Sequence, residues 1–101
     1  MLLIRDIMYC KPGKVRPLTE KFLAMKRLSA KQVMGTMRIM TDVSAERYWT
    51  LVAEMEVPSL EAYMSMGPDP DSEDAKEFEK IMEGYHDLVD HGRREIYTIQ
   101  E

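Results

Sequence analysis

Large apolar residues alternate along the first ten positions and load both faces of an extended chain. Leu2, Ile4 and Met8 fall on one face, and Leu3, Ile7 and Tyr9 on the other. A strand that is apolar on both faces is a strand buried on both sides, so residues 2–10 are expected to form one. Lys11-Pro12-Gly13-Lys14 follows as a turn signal. The period then changes. Val15, Leu18, Phe22, Met25 and Ser29 step by three and four, with Leu28 beside them, which predicts one amphipathic helix over 14–30. Pro17 sits in its first turn, where a missing N–H costs little.

Alternation returns over 34–43 and 47–57, which predicts two strands joined by the short Asp42-Val43-Ser44-Ala45-Glu46 connection into an antiparallel hairpin. In the second strand Trp49, Leu51, Ala53, Met55 and Val57 make an apolar face, so Trp49 is expected in the core. Tyr48, Thr50, Val52, Glu54 and Glu56 make a mixed face. In the first strand Met37, Ile39, Thr41 and Val43 oppose Thr36 and Arg38. Pro58-Ser59 ends the hairpin, and Ser59 is placed to cap a short helix over 60–66. Gly67-Pro68-Asp69-Pro70-Asp71 breaks that helix. A second one is expected to start at Asp71 or Ser72, with Glu73 and Asp74 at its positive end, and to run to about His91. Gly92 then suits the left-handed position after a helix, and residues 93–100 read as a final strand.

The order strand, helix, strand, strand, broken helix, strand predicts an α+β domain of the ferredoxin-like βαββαβ type. It has a four-stranded antiparallel sheet and helices on one face. At 101 residues the chain suits one domain, 1–101. The apolar first strand implies that the uncovered sheet face is apolar too, which a soluble monomer does not tolerate. The expected solution is a homodimer paired through the sheet faces.

Charge and cysteine content narrow the chemistry. A net charge of −4 gives no electrostatic drive toward nucleic acid. The single Cys10 excludes an intrachain disulfide and a cysteine-built zinc site, and a cytoplasmic protein is the simple reading. No apolar run approaches the length of a membrane span. Ten methionines, most inside predicted elements, suit an adaptable core or pocket.

Candidate chemistry is sparse. Both histidines fall in the expected last helix, where successive residues turn by about 100°. His86 and His91 would then point about 140° apart and could not share a metal. Glu83-x-x-His86 has one half of a di-iron spacing that needs two such motifs. No metal and no cofactor are expected. His86, at the edge of the stripe Phe78, Ile81, Met82, Tyr85, Leu88 and Val89, could serve as a general base, with Asp90 as its partner four residues on. Arg38 could anchor an anionic ligand through its planar fork, or pair with Glu54 across the hairpin or with Asp6. Tyr48 and Tyr97 could present hydroxyls to a ligand, or pack with their tips hydrogen-bonded. His86 and Tyr48 are therefore the catalytic candidates, and Arg38, Tyr97 and Glu54 the ligand-binding ones.

Three stretches carry a family resemblance: KPGKVRPLTEKF entering the first helix, RYWTLVAEMEVPSLEAY as strand and short helix, and GRREIYTI as last strand. Across nearly its whole length the chain resembles the dimeric α/β-barrel superfamily. That superfamily includes NIPSNAP-type proteins, antibiotic-biosynthesis monooxygenases and haem-degrading monooxygenases, and the chain looks closest to the NIPSNAP-like members. The haem-degrading members use an asparagine near the first strand, and this chain has none. The resemblance implies a homodimer that binds a small apolar or aromatic molecule in a barrel cavity. A cofactor-independent monooxygenase of the antibiotic-biosynthesis type is the enzymatic alternative, and a structural or regulatory dimer without ligand is the third.

Overall fold

A computed structural model of the chain describes residues 1–29, 37–66 and 69–100. The expected strand start at Met34 to Thr36 and the Gly67-Pro68 part of the expected break lie outside the described residues. The elements run in the order β1 (Leu2–Cys10), α1 (Val15–Ser29), β2 (Met37–Thr41), β3 (Thr50–Val57), α2 (Leu60–Met64), α3 (Glu73–Met82), a 3-10 turn (Tyr85–Asp87) and β4 (Val89–Thr98). The four strands form one sheet in the order β2-β3-β1-β4, with every neighbouring pair antiparallel. This is the ferredoxin-like arrangement: two strand–helix–strand halves interleave, and β1 becomes a central strand.

Successive residues of a strand face opposite ways, and the core follows from that. Met8 and Cys10 of β1, Met37 of β2, and Leu51 and Ala53 of β3 pack with Leu18 and Phe22 of α1. Met82, Tyr85 and Leu88 close the same side. Leu18 and Leu51 have no solvent exposure. Ser59 caps α2 by accepting from the Ala62 amide at 3.1 Å, as its position suggests. Ser72 caps α3 in the same way through Ala75, at 3.2 Å.

β2 ends at Thr41, so Val43, expected on its apolar face, is instead a fully exposed loop residue, and two further boundaries differ from the periodicity reading. The first is at the start of β3. Thr50 N–H donates to Asp42 Oδ1 at 2.8 Å and the Thr50 hydroxyl donates to the Arg47 carbonyl at 2.8 Å. These local bonds compete with the strand ladder, and Trp49 takes a left-handed backbone with φ 63°. Residues 47–49 therefore belong to the loop. Trp49 is 45% exposed and Tyr48 is 85% exposed, so the expectation of a core tryptophan is corrected.

The second is the end of α3. The helix stops at Met82 rather than near His91. Glu83 leaves the helical region (φ −58°, ψ 130°), and Gly84 adopts the left-handed conformation at φ 81°. Lys21 of α1 donates its ammonium to the carbonyls of Ile81 and Glu83, satisfying groups that a helix end leaves open. Lys21→Met is expected to lower stability by about 1–2 kcal/mol, read by urea denaturation, with sheet content unchanged by circular dichroism.

With α3 cut short, β4 begins at Val89 and His91 lies in the sheet opposite Tyr9. Gly92 is thus a strand residue rather than a helix cap. It is opposite Met8, and a Cβ there would lie 2.6 Å from the Ile7 carbonyl oxygen. The need for glycine here is lateral space. The last strand also holds Arg93 and Arg94 on opposite faces.

Cross-strand partners share a face, so the register defines the side that carries no helix. One row there runs Arg38 (β2), Glu54 (β3), Arg5 (β1), Glu95 (β4), each directly opposite the next. Its signs alternate across the whole sheet. Glu54 pairs with Arg38 and, at 3.2 Å, with Arg5, which reaches Glu95 at 3.5 Å. The flanking rows hold Met40, Val52 and Ile7 on one side, and Glu56, Leu3 and Tyr97 on the other. The open face is therefore mixed, with an ionic band through apolar ground. The uniform apolar surface expected from β1 alone is not what forms.

Candidate functional site

A cleft of about 450 Å³ opens between the helices and the β1–β4 half of the sheet. Phe22 and Met25 of α1, Phe78 and Met82 of α3, and Met8 of β1 give it apolar walls. Asp6 and Arg94 supply a polar corner. They are partners across β1 and β4, and Arg94 Nε donates to Asp6 Oδ1 at 2.6 Å. The bond to Asp6 raises the Arg94 pKa further, so the guanidinium is a fixed charge. It also lies 5.5 Å from the centre of the Tyr63 ring, within cation–π range.

Tyr85 lines the cleft beside them, with its ring 6.4 Å from that of Phe22. Burial raises its pKa, and the nearby Asp6 charge and Cys10 add to the effect. Its hydroxyl thus stays protonated at neutral pH and offers a hydrogen-bond donor. Burial likewise pushes the Cys10 thiol up, with Asp42 contributing, which disfavours the reactive thiolate. Chemically the cleft can hold a flat or flexible apolar body and meet one polar group of it with Arg94 or Tyr85. Among the described residues no group of three or more metal-ligating side chains is placed to hold a metal ion.

Of the residues singled out from sequence, Arg38 and Glu54 lie together and line a separate hollow of about 270 Å³ with Leu3, Met55 and Glu56, while Tyr48 and His86 lie apart from it. Arg38 and Glu54 stand together in the ionic row, so of the two partners expected for Arg38 the structure selects Glu54; Asp6 goes to Arg94. Glu54 is only 8% exposed. Tyr97 occupies the next row of the same face, opposite Leu3. Tyr48 is at the surface of the β2–β3 loop. His86 is exposed in the 3-10 turn and touches the cleft only through Tyr85, edge-on at 5.3 Å. Asp90 pairs with His91 and Arg47 rather than with His86. Asp6 and Arg94 were the residues that periodicity did not bring forward as a site. The available signal is the charged Arg5-Asp6 step inside an apolar strand, and only the register names the partner of Asp6.

No protein-family model matches the chain, and no curated protein does. Solved structures do. One named antibiotic biosynthesis monooxygenase superposes with a TM-score of 0.70 at 12% identity, covering 100% of both chains. The chain has the fold of these proteins. An uncharacterised NIPSNAP domain protein from Burkholderia xenovorans gives a TM-score of 0.68 at 12% identity, over 98% of this chain and 94% of the other. A NIPSNAP-like domain protein from the same organism gives 0.68 at 13%, over 99% and 85%. At such identities the ferredoxin-like architecture is what is shared. No helix among the described residues is long and apolar enough to cross a membrane.

Proposed function

We propose that this protein is a NIPSNAP-like homodimer that binds a small, largely apolar or aromatic molecule in the cleft between α1, α3 and the sheet. The observation that carries the reading is the cleft itself: apolar walls around the Asp6–Arg94 pair and a protonated Tyr85. Ligand sites commonly combine apolar lining with a few placed polar groups. Dimerisation is supported by the open face. Leu3, Met40 and Val52 offer apolar area there. The ionic row is self-complementary: a twofold axis parallel to the strands sets Arg38 against a partner Glu95 and Glu54 against a partner Arg5.

The test uses 8-anilinonaphthalene-1-sulfonate, an aromatic anion, on protein whose mass has been read by native mass spectrometry. The expected result is a dimer with saturable fluorescence enhancement, one site per chain. Met25→Trp, which fills the cleft, and Arg94→Gln, which removes its charge, are each expected to weaken binding about tenfold, equivalent to about 1.4 kcal/mol. Unsaturable binding, or binding indifferent to both variants, would leave the structural dimer without ligand as the better reading. The monooxygenase named among the similar structures favours a second reading, oxidation of an aromatic substrate in the same cleft without a cofactor. Oxygen consumption with a panel of phenols separates it from simple binding.

A further inference from the structure

We propose that the base of the β2–β3 loop binds a small organic cation with a methylated ammonium head, through Tyr48, Trp49 and Asp42. These three residues line a hollow of about 340 Å³ together with Val15 of α1 and Thr41 of β2. The hollow shares no lining residue with the cleft between α1, α3 and the sheet. Thr41 is opposite Leu51, which packs in the core with α1, so the hollow lies on the helix-bearing side. A dimer paired through the open sheet face leaves it accessible.

Successive residues of a strand face opposite ways, yet Tyr48 and Trp49 line the same hollow. The left-handed backbone at Trp49, φ 63°, makes this possible. A bulky residue seldom adopts that conformation, and strain of this kind gathers at functional sites. Local hydrogen bonds hold it in place. Thr50 N–H donates to Asp42 Oδ1 at 2.8 Å, and Asp42 N–H donates to the Thr50 carbonyl at 3.1 Å. Cys10 N–H donates to the Trp49 carbonyl at 2.8 Å. Both aromatic side chains are exposed on a backbone that is already fixed, so binding spends little on ordering the loop.

Ring faces and a carboxylate both attract cations. Among the described residues no cation of the chain answers them: Asp42 joins no ion pair, and neither ring carries a guanidinium. Arg47, the neighbour of Tyr48, lies instead over the Tyr9 ring, 4.8 Å from its centre. One carboxylate supplies too few oxygen ligands for a hard metal ion. A primary ammonium is strongly hydrated and holds its water. A methylated ammonium carries its charge behind apolar methyl groups, which suit the ring faces and Val15 while Asp42 balances the charge.

The chain has one tryptophan, so Trp49 emission reports on this hollow directly. Choline is titrated beside 3,3-dimethylbutanol, the analogue with carbon in place of nitrogen and no charge, at constant ionic strength. The expected result is a saturable change in emission with choline and none with the alcohol. Tyr48→Leu removes a ring face. Asp42→Asn removes the charge and keeps an acceptor for the Thr50 N–H. Each is expected to weaken choline binding about fivefold, while Tyr48→Phe retains it. No response to choline, equal responses to the two compounds, or choline binding unchanged in Tyr48→Leu would overturn the site. If Asp42→Asn disturbs the loop, the two variants of the exposed Tyr48 decide alone: weaker binding in Tyr48→Leu than in Tyr48→Phe supports the site, and the same affinity in both overturns it.

Discussion

Replacing Phe22 by alanine is expected to lower the free energy of unfolding by about 3–4 kcal/mol, and Tm by roughly 15–25 °C for a domain of this size. Phe22 is 5% exposed and belongs to the cluster that joins α1 to the central strands. Its ring meets Tyr85 in a tilted contact and forms one wall of the cleft. Truncation therefore removes the transfer energy of the ring and leaves space that neighbouring side chains fill only in part. Met25 and Met82 border that space and are flexible enough to move into it, which is why the upper end of the range is not expected. The measurement is guanidinium denaturation of Phe22→Ala beside Phe22→Leu. A loss below about 1 kcal/mol for alanine would mean that the helix and sheet are not wedged together at this position.

Glu54→Gln is expected to cost about 2–3 kcal/mol, below the full penalty for orphaning a buried charge. Glu54 is the one buried acid in the ionic row and faces two arginines. Glutamine keeps the shape and one acceptor but removes the charge, so Arg5 and Arg38 are left repelling each other across β3. Arg38, with 68% of its side chain exposed, can turn to water, while Arg5, at 35%, is more confined. Most of the loss is therefore assigned to Arg5. Arg38→Gln should cost under about 1 kcal/mol, as for other exposed partners. Equal losses for Glu54→Gln and Arg38→Gln would remove the assignment. The far end of the row has its own pH dependence. The Arg93 hydrogen bond, with help from Tyr97, holds Glu95 below the usual carboxylate range. A carboxylate whose folded pKa is depressed adds stability above its unfolded pKa, and loses it as pH falls through the folded value.

Much of the architecture was legible in local pattern. The period of two in β1, the period of three to four in α1 and the serine caps at Ser59 and Ser72 each follow from the geometry of one element. So does the order of elements, which is enough to select the ferredoxin-like fold among simple alternatives. Pattern failed where two local signals competed. Tyr48 and Trp49 continue the alternation of β3, but Asp42 and Thr50 hydrogen-bond the backbone and turn the chain out of the sheet first. Tyr85, Leu88 and Val89 continue the helical stripe and do reach the core, but from a turn and a strand. The apolar stripe reported which residues are buried and not the conformation that buries them.

By itself, then, the sequence determined the elements, their order and most of the inward-facing side chains, because those depend on interactions a few residues apart. The tertiary structure decided the pairings. Asp6 with Arg94, Glu54 between Arg5 and Arg38, and His91 beside Tyr9 join residues up to 88 positions apart. Such pairs are set by strand register, and a slip of one residue sends every side chain to the opposite face. The polar corner of the cleft is made of register-defined neighbours, so it does not exist until β4 has docked on β1.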